Sequence, residues 1–341
     1  MGVGRMKGWR DRFPCGVSRI WLYLVGWLWV AGCTSEPSAR ESALPPSWRL
    51  AQDRPSFSAD SAYAFIEAQL RFGPRIPGTA AHQACGDWLV AQLRRYGARV
   101  YEQKGTYKGT PVRNIIASFG PDTTRGRLLV SAHWDSRPWA DQDPATAQQP
   151  VPGANDGASG VAVLLELARL LSQRPLPYPV DLIFWDAEDL GREGVENSFC
   201  LGSQYWLSAP APYPPQAYEA GIHLDMVGGR QATFLQEGYS RQYAPHIVQL
   251  LWEVAQRLGY ERFFPPLPGE PIIDDPYYLA TQGKIPMVNI IQRDPTGRGF
   301  FPEWHTVRDT LEVIDRSTLQ AVGDVLVAFL YSFSPRHLRP Q

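Results

Sequence analysis

The run Val180-Asp-Leu-Ile-Phe-Trp185 is almost continuously apolar over the length of one short strand. That is the pattern of a strand covered on both faces, and such strands occur where helices lie above and below a sheet. The surrounding chain supplies the partners. Further strands are predicted over 99–104, 112–119, 128–133, 221–226 and 286–291, from their Val, Ile, Leu and Tyr content and the Gly- and Pro-bearing turns between them. Helices are predicted over 59–72, 80–96, 158–171, 244–258 and 317–331, with a short one after Asp274. Tyr63, Phe65, Ile66 and Leu70 recur at helical spacing, as do Val161, Leu164, Leu165, Ala168 and Leu171, and Gly97 stops the second helix. Strands alternating with helices imply an α/β fold: a single domain with a central mixed, mostly parallel β-sheet flanked by helices. In sheets of this kind the chemistry lies beyond the carboxyl ends of the strands.

Length and charge narrow the class. A chain of 341 residues accommodates one α/β enzyme domain and a leader. Its net charge of -1, with Lys and Arg scattered, offers nucleic acid no electrostatic footprint. Residues 1–33 read as an export signal. Arg5, Lys7, Arg10, Arg12 and Arg19 precede an apolar stretch over 20–30 that is short for a membrane span. The stretch ends in Val30-Ala-Gly-Cys33, similar to a bacterial lipobox, which would make Cys33 the lipidated first residue of the mature protein. Residues 34–56 are polar and Pro-bearing and read as a flexible tether, with the catalytic domain over 57–341. The mature protein is thus expected to be exported and membrane-anchored through Cys33, on the periplasmic or outer-membrane face. Apart from that anchor it keeps Cys85 and Cys200, both among apolar neighbours. Export permits a disulfide between them, and buried free thiols fit the sequence equally.

Acids and histidines gather near the predicted strand ends: His133-Trp-Asp135, Asn155-Asp156, Asp186-Ala-Glu188-Asp189, Asp225 and Trp304-His305. A catalytic zinc takes three protein ligands from His and carboxylate groups and keeps a fourth position open. His305, Asp156 and one acid of the Glu188-Asp189 pair would supply them. Adjacent acids at a strand end can divide the labour, one facing a metal and the other acting as general base. Each residue alone has an ordinary explanation: Asp156 can cap the following helix, Asp225 can satisfy a turn, and His305 can be a loop histidine. Five such sites on one edge of a sheet are not explained that way.

In order and local text the chain resembles the zinc aminopeptidase family and, inside it, the glutaminyl cyclase branch, from about residue 57 to 334. The resemblance is carried by Gly73-Pro-Arg-Ile-Pro-Gly78, Ala132-His-Trp-Asp-Ser136, Gly153-Ala-Asn-Asp-Gly157, Trp185-Asp-Ala-Glu-Asp189, His223-Leu-Asp225 and Trp304-His-Thr306. It implies Asp156, Asp189 and His305 as ligands of one zinc (Zn2+) per chain, Glu188 as catalytic acid/base, and Asp135 and Asp225 as further motif acids. Two-zinc peptidases of the family hold a second ion with residues matching His133 and Asp225, and both are present here. Ile273-Asp-Asp275, and Trp304 directly before His305, resemble the cyclase branch. There an aspartate matching Asp275 hydrogen-bonds the one matching Asp225 and disfavours a second metal. One departure stands out: animal cyclases carry a Glu-Glu pair and a nearby pocket Trp, whereas Glu188-Asp189 is followed by Leu-Gly-Arg-Glu-Gly194. Trp139, on the loop over 137–155, is the candidate for a substitute aromatic wall, although a loop tryptophan has other uses.

The implied activity is conversion of N-terminal glutamine of peptides or proteins to pyroglutamate with release of ammonia. Glu188, Asp225 and Asp275 would be catalytic, with Trp304 and Trp139 against the substrate and His133 and Asp135 behind the metal or at a second one. The alternatives are a two-zinc aminopeptidase and a non-catalytic binding lipoprotein of the same fold. The second alternative should lack a ligand or the base, and none is missing.

Overall fold

The computed structural model describes residues 49–294 and 299–338. The leader, Cys33 and most of the expected tether lie outside the described residues. Those described belong to one compact unit, and among them no helix is long and apolar enough to cross a membrane.

Seven strands form one sheet: β1 (Arg99–Tyr107), β2 (Thr110–Phe119), β3 (Arg127–His133), β4 (Val180–Trp185), β5 (Tyr218–Asp225), β6 (Thr233–Phe234) and β7 (Met287–Arg293). Their order is β1-β2-β4-β3-β5-β7-β6. The central strands β4, β3, β5 and β7 run parallel, and β1, β2 and β6 pair antiparallel at the two sides. This is the mixed, mostly parallel sheet read from the alternation of elements. Successive residues of a strand enter opposite layers. Leu128, Val130 and Ala132 of β3 join the larger core, and Leu129 joins a smaller one with Ile183 and Trp185 of β4.

Helices α1 (Ala59–Leu70), α3 (Ala158–Gln173), α6 (Pro245–Arg257) and α8 (Arg316–Ser332) contribute to the larger core with α2 (Ala80–Arg95). On the other face, Trp206 of α4 (Leu201–Ser208) and Leu279 of α7 (Asp275–Thr281) contribute to the smaller one. Ser58 and Thr79 accept hydrogen bonds from backbone N–H groups in the first turns of α1 and α2, which fixes where those helices begin. The helix expected over 244–258 starts at Pro245, and a separate short helix, α5 (Gly238–Tyr243), precedes it. Proline has no N–H to donate and suits a first helical position, so the chain restarts there. Helix α4 and the two-residue β6 were not anticipated, being too short to carry a period. Cys85 and Cys200 are both buried free thiols; the permitted disulfide is not formed.

Candidate active site at the carboxyl ends of the strands

Four segments leave the parallel strands at the same edge and meet. β3 ends at His133 and leads to Asp135 and, across its loop, Asp156. β4 ends at Trp185 and turns through Ala187 into Glu188 and Asp189. β5 ends on Asp225, and the chain beyond β7 returns with Trp304 and His305. Such abrupt turns require backbone that L-residues adopt reluctantly. Ala187 (φ 54°), Cys200 (φ 57°), Met226 (φ 51°) and His305 (φ 52°) are all left-handed, and strain of this kind collects where side chains must be fixed. At Gly157, just ahead of α3, a Cβ would stand 2.6 Å from the Asp135 carbonyl oxygen and 3.0 Å from the His133 ring. Only glycine fits there.

Ligating atoms of Asp156, Asp189 and His305 lie within 4.8 Å of one another, all on buried residues, and so do those of His133, Asp156 and Asp225. Asp156 belongs to both groups. His305 Nε2 stands 3.2 Å from Asp189 Oδ1 and 3.6 Å from Asp156 Oδ2. His133 Nε2 stands 3.0 Å from Asp156 Oδ1 and 3.2 Å from Asp225 Oδ1. Asp189 Oδ2 is buried with no hydrogen-bond partner. A buried carboxylate oxygen left unpaired beside a histidine nitrogen and a second carboxylate fits a group that serves a divalent cation, and the His and carboxylate donors suit zinc.

Other groups hold these side chains in place. The Asp135 carboxylate accepts from the backbone N–H of Glu188 and of Asp189, both at 3.1 Å. Asp309 does the same for Asn155 and Asp156, at 2.8 and 3.0 Å. Arg137, fully buried, donates to the Asp189 carboxylate (3.1 Å) and carbonyl (3.0 Å), and twice to Asp141. Arg75, also buried, donates to the carbonyls of Trp134, Pro152 and Gly153. Asp141, Asp309 and Arg75 were not singled out from the sequence. Arg75 lies inside the Gly73–Gly78 motif, where an arginine among Gly and Pro turn residues was the available signal.

Burial pushes the Glu188 carboxyl well above its ordinary range, against the pull of His133 and with Asp189, Asp274 and Asp275 adding like charge. Asp225 is likewise moved by burial, up to about 7. Asp156 goes the other way: burial opposes its charge, but the His133 hydrogen bond and the charges of His133 and His305 hold it below its usual value. One acid poised to carry a proton thus stands beside another held ionised. That division suits general acid/base work next to a metal.

Glu188, Asp189, Asp156, Asp225 and His305 line one side of a cavity of about 520 Å³. Its other walls are largely apolar and aromatic, including Phe199, Tyr277, Tyr278, Phe300 and Trp304. Trp304 stacks on His305 at 3.7 Å between ring centroids and touches Phe300 at 4.5 Å. One expectation is corrected. Trp139 is absent from the cavity wall. It stands one layer back, with the guanidiniums of Arg137 and Arg192 each 5.4 Å from its ring centre, and the wall is supplied by Phe199 and the tyrosines of α7. The aspartate facing the cavity is Asp274 rather than Asp275. Asp275 is fully buried at the start of α7, with the Ser203 side chain beside its carboxyl. Asp274 caps α7, accepting from the Asp275 N–H and the Asn289 amide, which turns it toward the cavity and leaves Asp275 behind it.

A parallel-stranded α/β layer with carboxylate and histidine ligands and a poised glutamate at its carboxyl edge defines a metal-dependent, aminopeptidase-like enzyme. Residues 114–330 match Peptidase family M28, and the chain belongs to that family. Among solved structures it is similar to the Porphyromonas gingivalis glutaminyl cyclase, with 47% identity over 80% of this chain and 96% of that one and a TM-score of 0.76. It is also similar to the Bacteroides thetaiotaomicron glutaminyl cyclase, with 42% identity over 83% and 100% and a TM-score of 0.78. Aminopeptidase YwaD of Bacillus subtilis is 27% identical over 63% of this chain, which spans only 42% of that protein's length.

Proposed function

We propose that this chain is a glutaminyl-peptide cyclotransferase: it converts N-terminal glutamine of peptides or proteins to pyroglutamate and releases ammonia. The observation that carries the reading is an aromatic-walled cavity, with Glu188 beside the Asp156-Asp189-His305 group, in a chain that covers bacterial glutaminyl cyclases almost end to end. Asp156, Asp189 and His305 would hold one zinc, whose chemistry is Lewis-acid polarisation of the glutamine side-chain amide.

Everything else falls to the protein. The α-amine nitrogen forms a bond to the side-chain amide carbon, and the bond from that carbon to the amide nitrogen breaks. Glu188 takes a proton from the α-amine and returns it to the departing nitrogen, which leaves as ammonia. Asp225, with Asp274 on the same cavity wall and Asp275 next to it in the chain, orients the amine and the leaving group. Trp304 and Phe300 press on the short side chain, exclude water that would hydrolyse the amide, and hold the amine against its own carbonyl, where tethering replaces much of the barrier.

The His133-Asp156-Asp225 group favours a second reading, a two-zinc aminopeptidase. Ammonia release from a Gln-initiated dipeptide, amino-acid release from a Leu-initiated one, and metal content by mass spectrometry test both. Ammonia with about one zinc per chain is expected, and leucine with about two would replace the cyclase reading. The same proposal extends to export and anchoring through Cys33, after a leader over 1–33 and a tether over 34–56. Cys33→Ser should then release the protein from the membrane fraction, and an unchanged distribution would count against the anchor.

A further inference from the structure

We infer that Cys200 is a positioning residue for Glu188, holding the catalytic carboxylate through a thiol hydrogen bond; this rests on the cyclase reading. The turn that carries Glu188 is gripped from one side by the segment that opens α4. The Cys200 N–H donates to the Glu188 carbonyl at 2.9 Å, and the Leu201 N–H to the Ala187 carbonyl at 3.0 Å. A Cβ at Gly202 would stand 2.3 Å from the Asp186 carbonyl oxygen, so α4 is pressed directly onto the strand end. Within this clasp Cys200 is fully buried and left-handed at φ 57°. Its Sγ–H donates to Glu188 Oε1 at 3.4 Å, while Oε2 stands 3.9 Å from His133 Nδ1. One residue therefore holds both the backbone and the side chain of the base.

The choice of thiol has a physical rationale. Glu188 must collect a proton from one nitrogen and deliver it to another, so its carboxylate needs a fixed direction together with an undiminished appetite for the proton. A strong donor such as an amide or a guanidinium would fix the direction and stabilise the charged form, making the base weaker. A thiol is a weak donor. It selects the rotamer and leaves most of the basicity. The thiol is also apolar enough to sit in a closed core, where a poorly paired hydroxyl would be costly.

The experiment compares full-length wild type, Cys200→Ala and Cys200→Ser, with kcat and KM for ammonia release from a Gln-initiated peptide and zinc content per chain. Loss of one weak hydrogen bond should lower kcat about two- to fivefold in Cys200→Ala, with KM and zinc content unchanged, and Cys200→Ser, which keeps a donor but a stronger one, should recover only part of the loss. A second arm needs no turnover. The infrared S–H stretching band assigned to Cys200, by subtracting the spectrum of Cys200→Ala, should move to higher frequency in Glu188→Gln as the carboxylate acceptor is lost. Wild-type kcat in Cys200→Ala, or a band unmoved by Glu188→Gln, overturns the inference. A wild-type chain that releases no ammonia would instead overturn the cyclase reading, and the infrared arm would still decide the contact.

Discussion

Arg137 is the group whose replacement should reveal how the proposed zinc ligands are held. Its guanidinium spans two acids: Nε and Nη2 donate to Asp141 at 2.8 and 2.5 Å, and Nη1 donates to Asp189 Oδ1 at 3.1 Å. Asp141 Oδ1 in turn stands 3.3 Å from His305 Nδ1. One buried fork therefore orients two of the three ligands, Asp189 directly and His305 through Asp141. Arg137→Lys keeps a positive charge and loses the fork. Outer-shell partners of metal ligands contribute about ten- to a hundredfold in affinity, so zinc binding should weaken by that much while the fold survives. Arg137→Met also strips the charge from beside Asp189, whose side chain is 2% exposed. Leaving a buried carboxylate unpaired costs about 3–5 kcal/mol, and the deficit should be greatest in metal-free protein, because zinc restores the missing positive charge. Competition with a chelating chromophore gives the affinity, and urea unfolding with and without zinc gives the stability. An Arg137→Lys protein that binds zinc as tightly as wild type would refute the idea that the fork sets the ligand geometry.

Glu188→Gln should abolish turnover while metal content stays near wild type; full activity in that variant would remove Glu188 as the base. Asp181→Asn should cost about 3–5 kcal/mol, because Arg127 donates to Asp181 twice at 2.6 Å with both side chains fully buried. Arg127 opens β3, at the opposite end from the site, so kcat should hold, and a large loss of kcat in folded protein would contradict that separation. Burial, together with repulsion from His133 and against the pull of Asp274, lowers His223 from 6.5 to about 4. Between those values the unfolded chain binds the proton and the folded chain does not, so stability falls as pH drops through that window, by at most about 3 kcal/mol. His223→Gln should flatten the fall in the urea midpoint over this range, and equal slopes in both proteins would show that His223 binds its proton alike in the folded and unfolded chain.

The sheet was legible because its central strands are covered on both faces and therefore written in apolar residues, as in Val180–Trp185. The candidate site was legible to the extent that Asp135, Glu188, Asp189 and Asp225 stand at or just beyond the ends of apolar strands, while Asp156 and His305 are reached only across loops. Residues that act across the fold were not. Asp309 grips Asp156 and Asp141 stands beside His305, yet both are ordinary loop aspartates in the sequence. The choice between Asp274 and Asp275 was also closed to sequence reading. It depends on which carboxylate caps α7, and two adjacent aspartates are equivalent until the helix start is known. Trp139 misled because a tryptophan on a long loop fits a pocket wall and a support for arginine equally well.

His133 decides how the two metal readings differ. It stands 3.0 Å from Asp156 and 3.2 Å from Asp225, in the place a second ion would need. Burial disfavours its charge, but the hydrogen bonds it donates to Asp135, Asp156 and Asp225 outweigh burial and raise His133 well above 6.5. Its protonated form supplies positive charge beside Asp156 and Asp225 and offers no lone pair at the nitrogen between them. A second zinc must therefore displace a proton held between two carboxylates at Nε2, while the Asp156-Asp189-His305 group keeps an unpaired Asp189 oxygen. Loading should accordingly be unequal: one tight zinc near neutral pH, and any second ion only at alkaline pH, with one proton released from His133 as it binds. Zinc titration followed by calorimetry in buffers of different ionisation enthalpy measures that proton. Two zincs bound tightly at neutral pH would show that the carboxylates do not hold His133 protonated against the metal, and would move the chain toward the peptidase reading.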